Sequence, residues 1–101
     1  MRILLVCAAG MSTSLVMKKI VKAFGPEEQD WEIKAEPVDS LETVIDNYDV
    51  ILLGPQIGYK KAQLAEIASI KNKPLDVINP MDYGMGNGEK ILAQIKTMIN
   101  K

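Results

Sequence analysis

Apolar residues fall along this chain in two rhythms, one suited to strands and one to helices. Arg2 to Val6 and Val50 to Leu53 hold continuous apolar runs, each followed by turn-forming residues, as in short strands buried on both faces of a parallel sheet. Glu32 to Val38 alternates charged residues with Ile33, Ala35 and Val38, and Leu75 to Ile78 follows the breaker Pro74. These read as a flanking strand and a last strand, making four. Leu15, Val16, Ile20, Val21 and Phe24 recur at helical spacing while Lys18, Lys19 and Lys22 point elsewhere, which predicts an amphipathic helix ending at Gly25-Pro26. Leu64, Ile67, Ala68 and Ile70 predict a second helix after Gly58, and Ile91, Leu92, Ile95, Met98 and Ile99 a third, with Asn87 as its N-cap. A weaker helix runs from near Ser40 to Asp46 and Asn47, and Asn79-Pro80 starts a short capped turn. Strands alternating with helices imply right-handed crossovers and an α/β fold, a four-stranded parallel sheet flanked by helices on both faces.

Length and composition narrow the picture. At 101 residues, 48% hydrophobic and 25% charged, the chain suits one small domain, residues 1–101, with a single core and one site. Twelve basic against thirteen acidic residues give a net charge of -1, which argues against non-specific attraction to nucleic acid or an anionic membrane. The longest apolar runs, Ile3 to Ala9 and Val50 to Leu53, are too short to cross a bilayer, and no charged leader precedes an apolar targeting region. The expectation is a cytoplasmic protein without direct membrane insertion. There is no His, and Arg occurs only as Arg2. Cys-His and Ser-His-Asp arrangements are therefore unavailable within the chain, and histidine chemistry must come from a partner. The single Cys permits neither an intramolecular disulfide nor a thiolate zinc cluster, and an unpaired thiol suits a reducing compartment.

In open parallel sheets, ligands bind beyond the carboxyl ends of the strands. Directly after the first strand stand Cys7, Ala8, Ala9, Gly10, Met11, Ser12, Thr13 and Ser14. This segment combines the only Cys, small residues that admit a ligand close to the backbone, and three hydroxyls immediately before a helix. Backbone N–H groups of a curled loop and of a helix start can converge on phosphate oxygens, and their field favours a nucleophilic thiolate without an external base. Ile3 to Gly25 contains no Asp or Glu, so sequence neighbours would not repel an arriving dianion. A lone Cys after an apolar strand is also often a small buried hydrophobe, and hydroxyls before a helix are often only caps.

Low-molecular-weight tyrosine phosphatases and related arsenate reductases share this strand-loop-helix placement of a Cys. The phosphatases require an Arg six residues later, where this chain has Thr13. The guanidinium that would bind phosphate bidentately and stabilise the transition state is absent, which disfavours hydrolytic turnover. A thiol that accepts phosphate without machinery to activate water suits a relay.

The run Leu4-Leu5-Val6-Cys7-Ala8-Ala9-Gly10-Met11-Ser12-Thr13-Ser14-Leu15 resembles the active loop of IIB components in the lactose/cellobiose/chitobiose branch of the bacterial sugar phosphotransferase system. Leu52-Leu53-Gly54-Pro55-Gln56-Ile57-Gly58-Tyr59 resembles that family's stretch after the third strand. Asn72-Lys73-Pro74 and Asp82-Tyr83-Gly84 fall where similar segments lie later, so the resemblance covers essentially the whole chain. It implies an architecture like that of the low-molecular-weight tyrosine phosphatases. It also implies that Cys7 accepts phosphate from a phosphohistidine on a IIA protein and passes it to a sugar held by the membrane-embedded IIC transporter, with which the chain associates peripherally. The backbone from Ala8 to Ser14 would bind the phosphate oxygens, assisted by the hydroxyls of Ser12, Thr13 and Ser14. No metal or organic cofactor is required. The sugar would be a β-linked disaccharide such as cellobiose, chitobiose or lactose.

Gln56 and Tyr59 follow the third strand and suit either a docking or loop-supporting role or, respectively, a turn and partial core. Tyr83 suits packing more than chemistry. Met11 and Met17 flank the loop-to-helix junction, where an exposed Met can adapt to two partners, although Met17 also suits the core. Three other readings compete with the relay. A small phosphatase or arsenate-reductase-like thiol enzyme would turn over without a protein donor. A redox or phosphate sensor would oxidise Cys7 or bind free phosphate. A nucleotide-binding module lacks both a Walker lysine and a dinucleotide glycine pattern after the first strand.

Overall fold

The computed structural model describes residues 1–7 and 14–99. Four strands, β1 (Arg2–Cys7), β2 (Glu32–Pro37), β3 (Val50–Leu53) and β4 (Leu75–Val77), form one all-parallel sheet in the order β2-β1-β3-β4. Among the described residues five α-helices form: α1 (Ser14–Ala23), α2 (Leu41–Val44), α3 (Lys61–Ile70), α4 (Pro80–Met85) and α5 (Gly88–Ile99). Short 3-10 segments flank α2 on both sides, at Val38–Ser40 and Ile45–Asn47, and another spans Pro55–Lys60 ahead of α3.

Because successive side chains of a strand point to opposite faces, the continuous apolar runs of β1 and β3 supply two cores. Ile3, Leu5, Val50 and Leu52 pack with Val16 and Ile20 of α1 and Ile91, Ile95 and Met98 of α5. On the other face Leu4, Val6, Ile51 and Leu53 pack with Leu41, Ile45 and Tyr48, with Ile57, and with Leu64 and Ala68 of α3. The expected single core is thus two, divided by the sheet. The two interior strands have every residue from Ile3 to Cys7 and from Val50 to Leu53 buried, whereas β2 and β4 sit at the edges and are only partly covered.

The helix termini follow local rules. Asn87 caps α5, its side-chain oxygen accepting from the N–H of Lys90 at 3.2 Å. Asn79 accepts from Met81 N at 2.9 Å and Asp82 N at 3.4 Å, with Pro80 at the first helical position, so the expected capped turn extends into a six-residue helix. α4 closes on Gly86 at φ 65°, a left-handed conformation that disfavours a Cβ. Three residues assigned to apolar helix faces prove exposed instead: Leu15 (63%), Val21 (47%) and Ile70 (79%). Each step along a helix turns about 100°. Leu15 and Val21 therefore diverge from the stripe centred on Val16 and Ile20, and Ile70 points away from the side that buries Leu64 and Ala68.

Two charged groups tie outlying segments to this frame. Glu28 is almost fully buried, accepts from Gly25 N at 3.3 Å and pairs with Lys96 of α5 at 3.1 Å, so a carboxylate out of water has partners for its charge. On the β4 edge, Asp76 accepts from Val77 N at 2.8 Å, pairs with Lys61 at 3.1 Å and accepts from Gln94 Nε2 at 3.3 Å. Burial pushes the Asp76 carboxyl up, but these hydrogen bonds and the Lys61 charge outweigh it and hold the group below its ordinary 3.8. A group whose acidity is strengthened by folding stabilises the protein above its unfolded value and loses that contribution as pH falls through the folded one. Asp76→Asn is therefore expected to destabilise the protein at pH 7, and urea unfolding should show the gap between the two proteins narrowing by pH 3.

Candidate functional site

β1 is an interior strand, and Cys7 is its last residue, opposite Pro37 of β2 in the parallel register. The side chain is 8% exposed, and its Sγ lies 3.8 Å from the carbonyl oxygen of Glu36 as a weak donor. Beyond Cys7 the expected phosphate-binding residues Ala8, Ala9, Gly10, Met11, Ser12 and Thr13 lie outside the described residues, and Ser14 opens α1. Cys7 and the amino end of a ten-residue helix thus bracket the segment. α1 carries no acidic residue in its first turn, so the positive end of its dipole is not offset from within the helix.

The segment after β3 reaches the same end of the sheet. Gly54 N donates to Val6 O at 2.9 Å, which carries the β1–β3 ladder almost to Cys7. Gln56 folds back over Gly54, and a Cβ built on that glycine would lie 2.7 Å from Gln56 Oε1 and 3.6 Å from Val6 O. Gln56 is exposed and close to the end of β1, a position compatible with either loop support or a turn. Tyr59 is 80% exposed and lies beneath Lys60, whose Nζ is 5.9 Å from the ring centroid; the partial-core alternative for Tyr59 is therefore wrong. Tyr83 packs against the α1/α5 core, and its hydroxyl is buried with no hydrogen-bond partner among the described residues. Met17 is partly buried against that core as well.

Glu36 was not visible as a site neighbour in the sequence, because its contact with Cys7 uses a backbone carbonyl placed by strand register. Nothing in the residue type signals it. Among the described residues no cluster of three or more His, Cys, Asp or Glu side chains is arranged to hold a metal ion, and no helix is long and apolar enough to cross a membrane.

Fold and site together define a class: an α/β protein with a solitary thiol ending an interior parallel strand, just ahead of a helix amino end. The family described as the lactose/cellobiose-specific IIB subunit of the PTS system matches residues 2–94. This chain belongs to that family and is a IIB component of a sugar phosphotransferase system. It is 41% identical, over 97% of its length and 95% of theirs, to a galactose-specific EIIB component of Lactococcus lactis subsp. cremoris and a cellobiose-specific EIIB component of Lactococcus lactis subsp. lactis. An oligo-beta-mannoside-specific EIIB component of Bacillus subtilis is 35% identical over 99% of this chain and 98% of its own. Among solved structures, the cellobiose-specific IIB component from Borrelia burgdorferi superposes with a TM-score of 0.79 at 43% identity, covering 100% of this chain and 94% of that one. The lactose-specific IIB domain from Streptococcus pneumoniae shares the fold, with a TM-score of 0.85 at 16% identity over 99% and 98% of the two chains.

Proposed function

We propose that Cys7 carries the phosphoryl group between a phosphohistidine on a IIA protein and a sugar held by a membrane IIC transporter. In the first step the Cys7 thiolate attacks phosphorus, the S–P bond forms, the N–P bond breaks, and the departing imidazole nitrogen regains its lone pair. In the second, a sugar hydroxyl attacks phosphorus, sulfur leaves as thiolate, and the hydroxyl proton passes to a base on the acceptor side. The chain supplies a nucleophile and an oriented site, and the donor supplies the nitrogen chemistry that a chain without His lacks.

The observation that carries this reading is the position of Cys7 at the end of interior strand β1, with α1 starting at Ser14 and no Asp or Glu between Ile3 and Gly25. A dianion arriving there meets the positive end of a helix and no local carboxylate from that stretch. Named relatives act with galactose, cellobiose and oligo-beta-mannosides, a spread consistent with sugar choice residing in the transporter. The sugar class proposed for this chain is the β-linked disaccharides. The test is intact mass after incubation with a phosphorylated IIA protein of the cellobiose type. The expected product carries one phosphate, mapped to the peptide containing Cys7. A folded protein that stays unmodified before a competent donor would overturn the relay.

A further inference from the structure

The outer side of α1 carries a feature that the phosphoryl chemistry does not use. Met17, Lys18, Val21, Lys22 and Ile33 line an open groove of about 440 Å³ between α1 and the β2 edge of the sheet. Its floor is apolar. Ile33 lies in register with Ile3 on the face beneath α1, and among the described residues no strand lies beyond β2. Val21 is 47% exposed, and Leu15, at the site end of the same helix, is 63% exposed. Isolated exposed apolar residues are ordinary, but a contiguous apolar groove walled by lysine stems is a surface suited to a partner.

The charge on the groove has one sign. Among the described residues Lys18, Lys19 and Lys22 have no carboxylate partner, as is also true of Lys34, Lys60, Lys73 and Lys90; the groove lysines differ in standing on one helix with no acid. Neither α1 nor the rest of Ile3 to Gly25 contains an acid. On β2, Glu32, Lys34 and Glu36 alternate with Ile33 and so belong to the opposite face, and Glu32 is engaged with Arg2 at 3.4 Å. At about 1.5 Å of rise per residue, Lys18 and Lys22 lie roughly 6 and 12 Å along the axis from the amino end of α1. Lys18 therefore lies within about one screening length of that helix end and Lys22 somewhat beyond it, so at the Cys7 end of the sheet the field of Lys18 is the stronger.

Resting on the relay reading, we infer that this groove docks the phosphohistidine donor through a surface of that protein combining apolar and acidic side chains. Charge distinguishes the donor from the acceptor. The donor arrives with a dianionic phosphoryl group, while the acceptor presents a sugar, which is neutral. The lysines of this groove, without a carboxylate partner among the described residues, attract the loaded donor more than the spent one, which speeds encounter and favours release after transfer.

The test measures single-turnover transfer from a phosphorylated IIA protein at increasing donor concentration, for the wild type, Lys18→Glu/Lys22→Glu and Val21→Asp. Circular dichroism and melting establish that the variants fold. For both variants the half-saturating donor concentration is expected to rise about tenfold or more with the plateau rate changed less than about twofold, because docking and not chemistry is impaired. Added salt should weaken the wild type and improve docking of the charge-reversed variant, whose repulsion from an acidic donor it screens. Transfer from preloaded variants to sugar through IIC membranes should be unchanged. An unaltered half-saturation overturns the docking surface while leaving the relay intact. A defect confined to the sugar step assigns the groove to the transporter and overturns the proposal, as does binding to anionic vesicles that the variants lose while donor kinetics stay normal. A wild type that takes no phosphate removes both the relay and its docking surface.

Discussion

Cys7→Ser is expected to abolish phosphate uptake from a IIA donor, to below about one-thousandth of the wild-type rate, while leaving the fold nearly intact. The two halves of this expectation rest on different observations. A serine hydroxyl is far less nucleophilic than a thiolate, and the chain has no histidine to activate it. The structural role of the thiol is slight: Cys7 ends its strand, and its only described polar contact is the 3.8 Å approach to Glu36 O, which a serine can replace with a hydrogen bond of its own. The stability change should stay within about 1 kcal/mol. Quench-flow with radiolabelled donor and urea unfolding separate the two effects. A serine variant that still accumulates phosphate would remove Cys7 from the centre of the mechanism, and one that fails to fold would give the residue a structural role that its contacts do not support.

The largest effect on stability should come from a residue without a side chain. Gly88 opens α5 directly against the backbone of α1, and a Cβ there would overlap the carbonyl group of Lys19 and crowd Ile20 N. Backbone cannot rotate aside as a side chain can, so Gly88→Ala must separate the two helices over their shared core of Val16, Ile20, Ile91 and Ile95. The expected cost is about 3 kcal/mol, lowering the melting temperature by roughly 10 °C or more. Gly84 provides the comparison, because a Cβ at that position in α4 meets nothing within 4 Å. Gly84→Ala should leave stability unchanged or raise it by about 0.4–1 kcal/mol. Thermal unfolding of the two variants measures the contrast, and equal melting temperatures would show that α5 adjusts without loss. Displacing α1 also moves the helix end beside Cys7, so Gly88→Ala should slow phosphate transfer in the fraction that remains folded.

These two glycines show where residue patterns stop being informative. Both are helical glycines in the same stretch of chain, and only packing tells the one pressed against a neighbouring backbone from the one facing open space. The same limit applies to α1. Its helical period was legible, but five apolar residues at roughly that period do not define one face, and Leu15 and Val21 turned outward while Val16 and Ile20 turned in. Gln56 and Tyr59 were placed correctly after β3. Their surroundings depended on how the Pro55–Lys60 segment folds, which exposes Tyr59 and lays Gln56 over Gly54.

By itself the sequence determined the elements and their class, because the signals are local. Continuous apolar runs mark β1 and β3, Asn79 and Asn87 cap the helices that follow them, and alternation of strands with helices leaves a parallel sheet as the economical arrangement. It also placed the single Cys directly after the first strand, which in the structure runs one residue further and ends on it, with no histidine to assist it. Only the tertiary structure decided the order β2-β1-β3-β4, the division of the core by the sheet, the Glu36 carbonyl beside Cys7, and the lysine-walled groove on the outside of α1. These depend on which residues meet across tens of positions of sequence. Strand register and helix rotation settle such meetings through the packing of the whole chain, and no short stretch of residues encodes them alone.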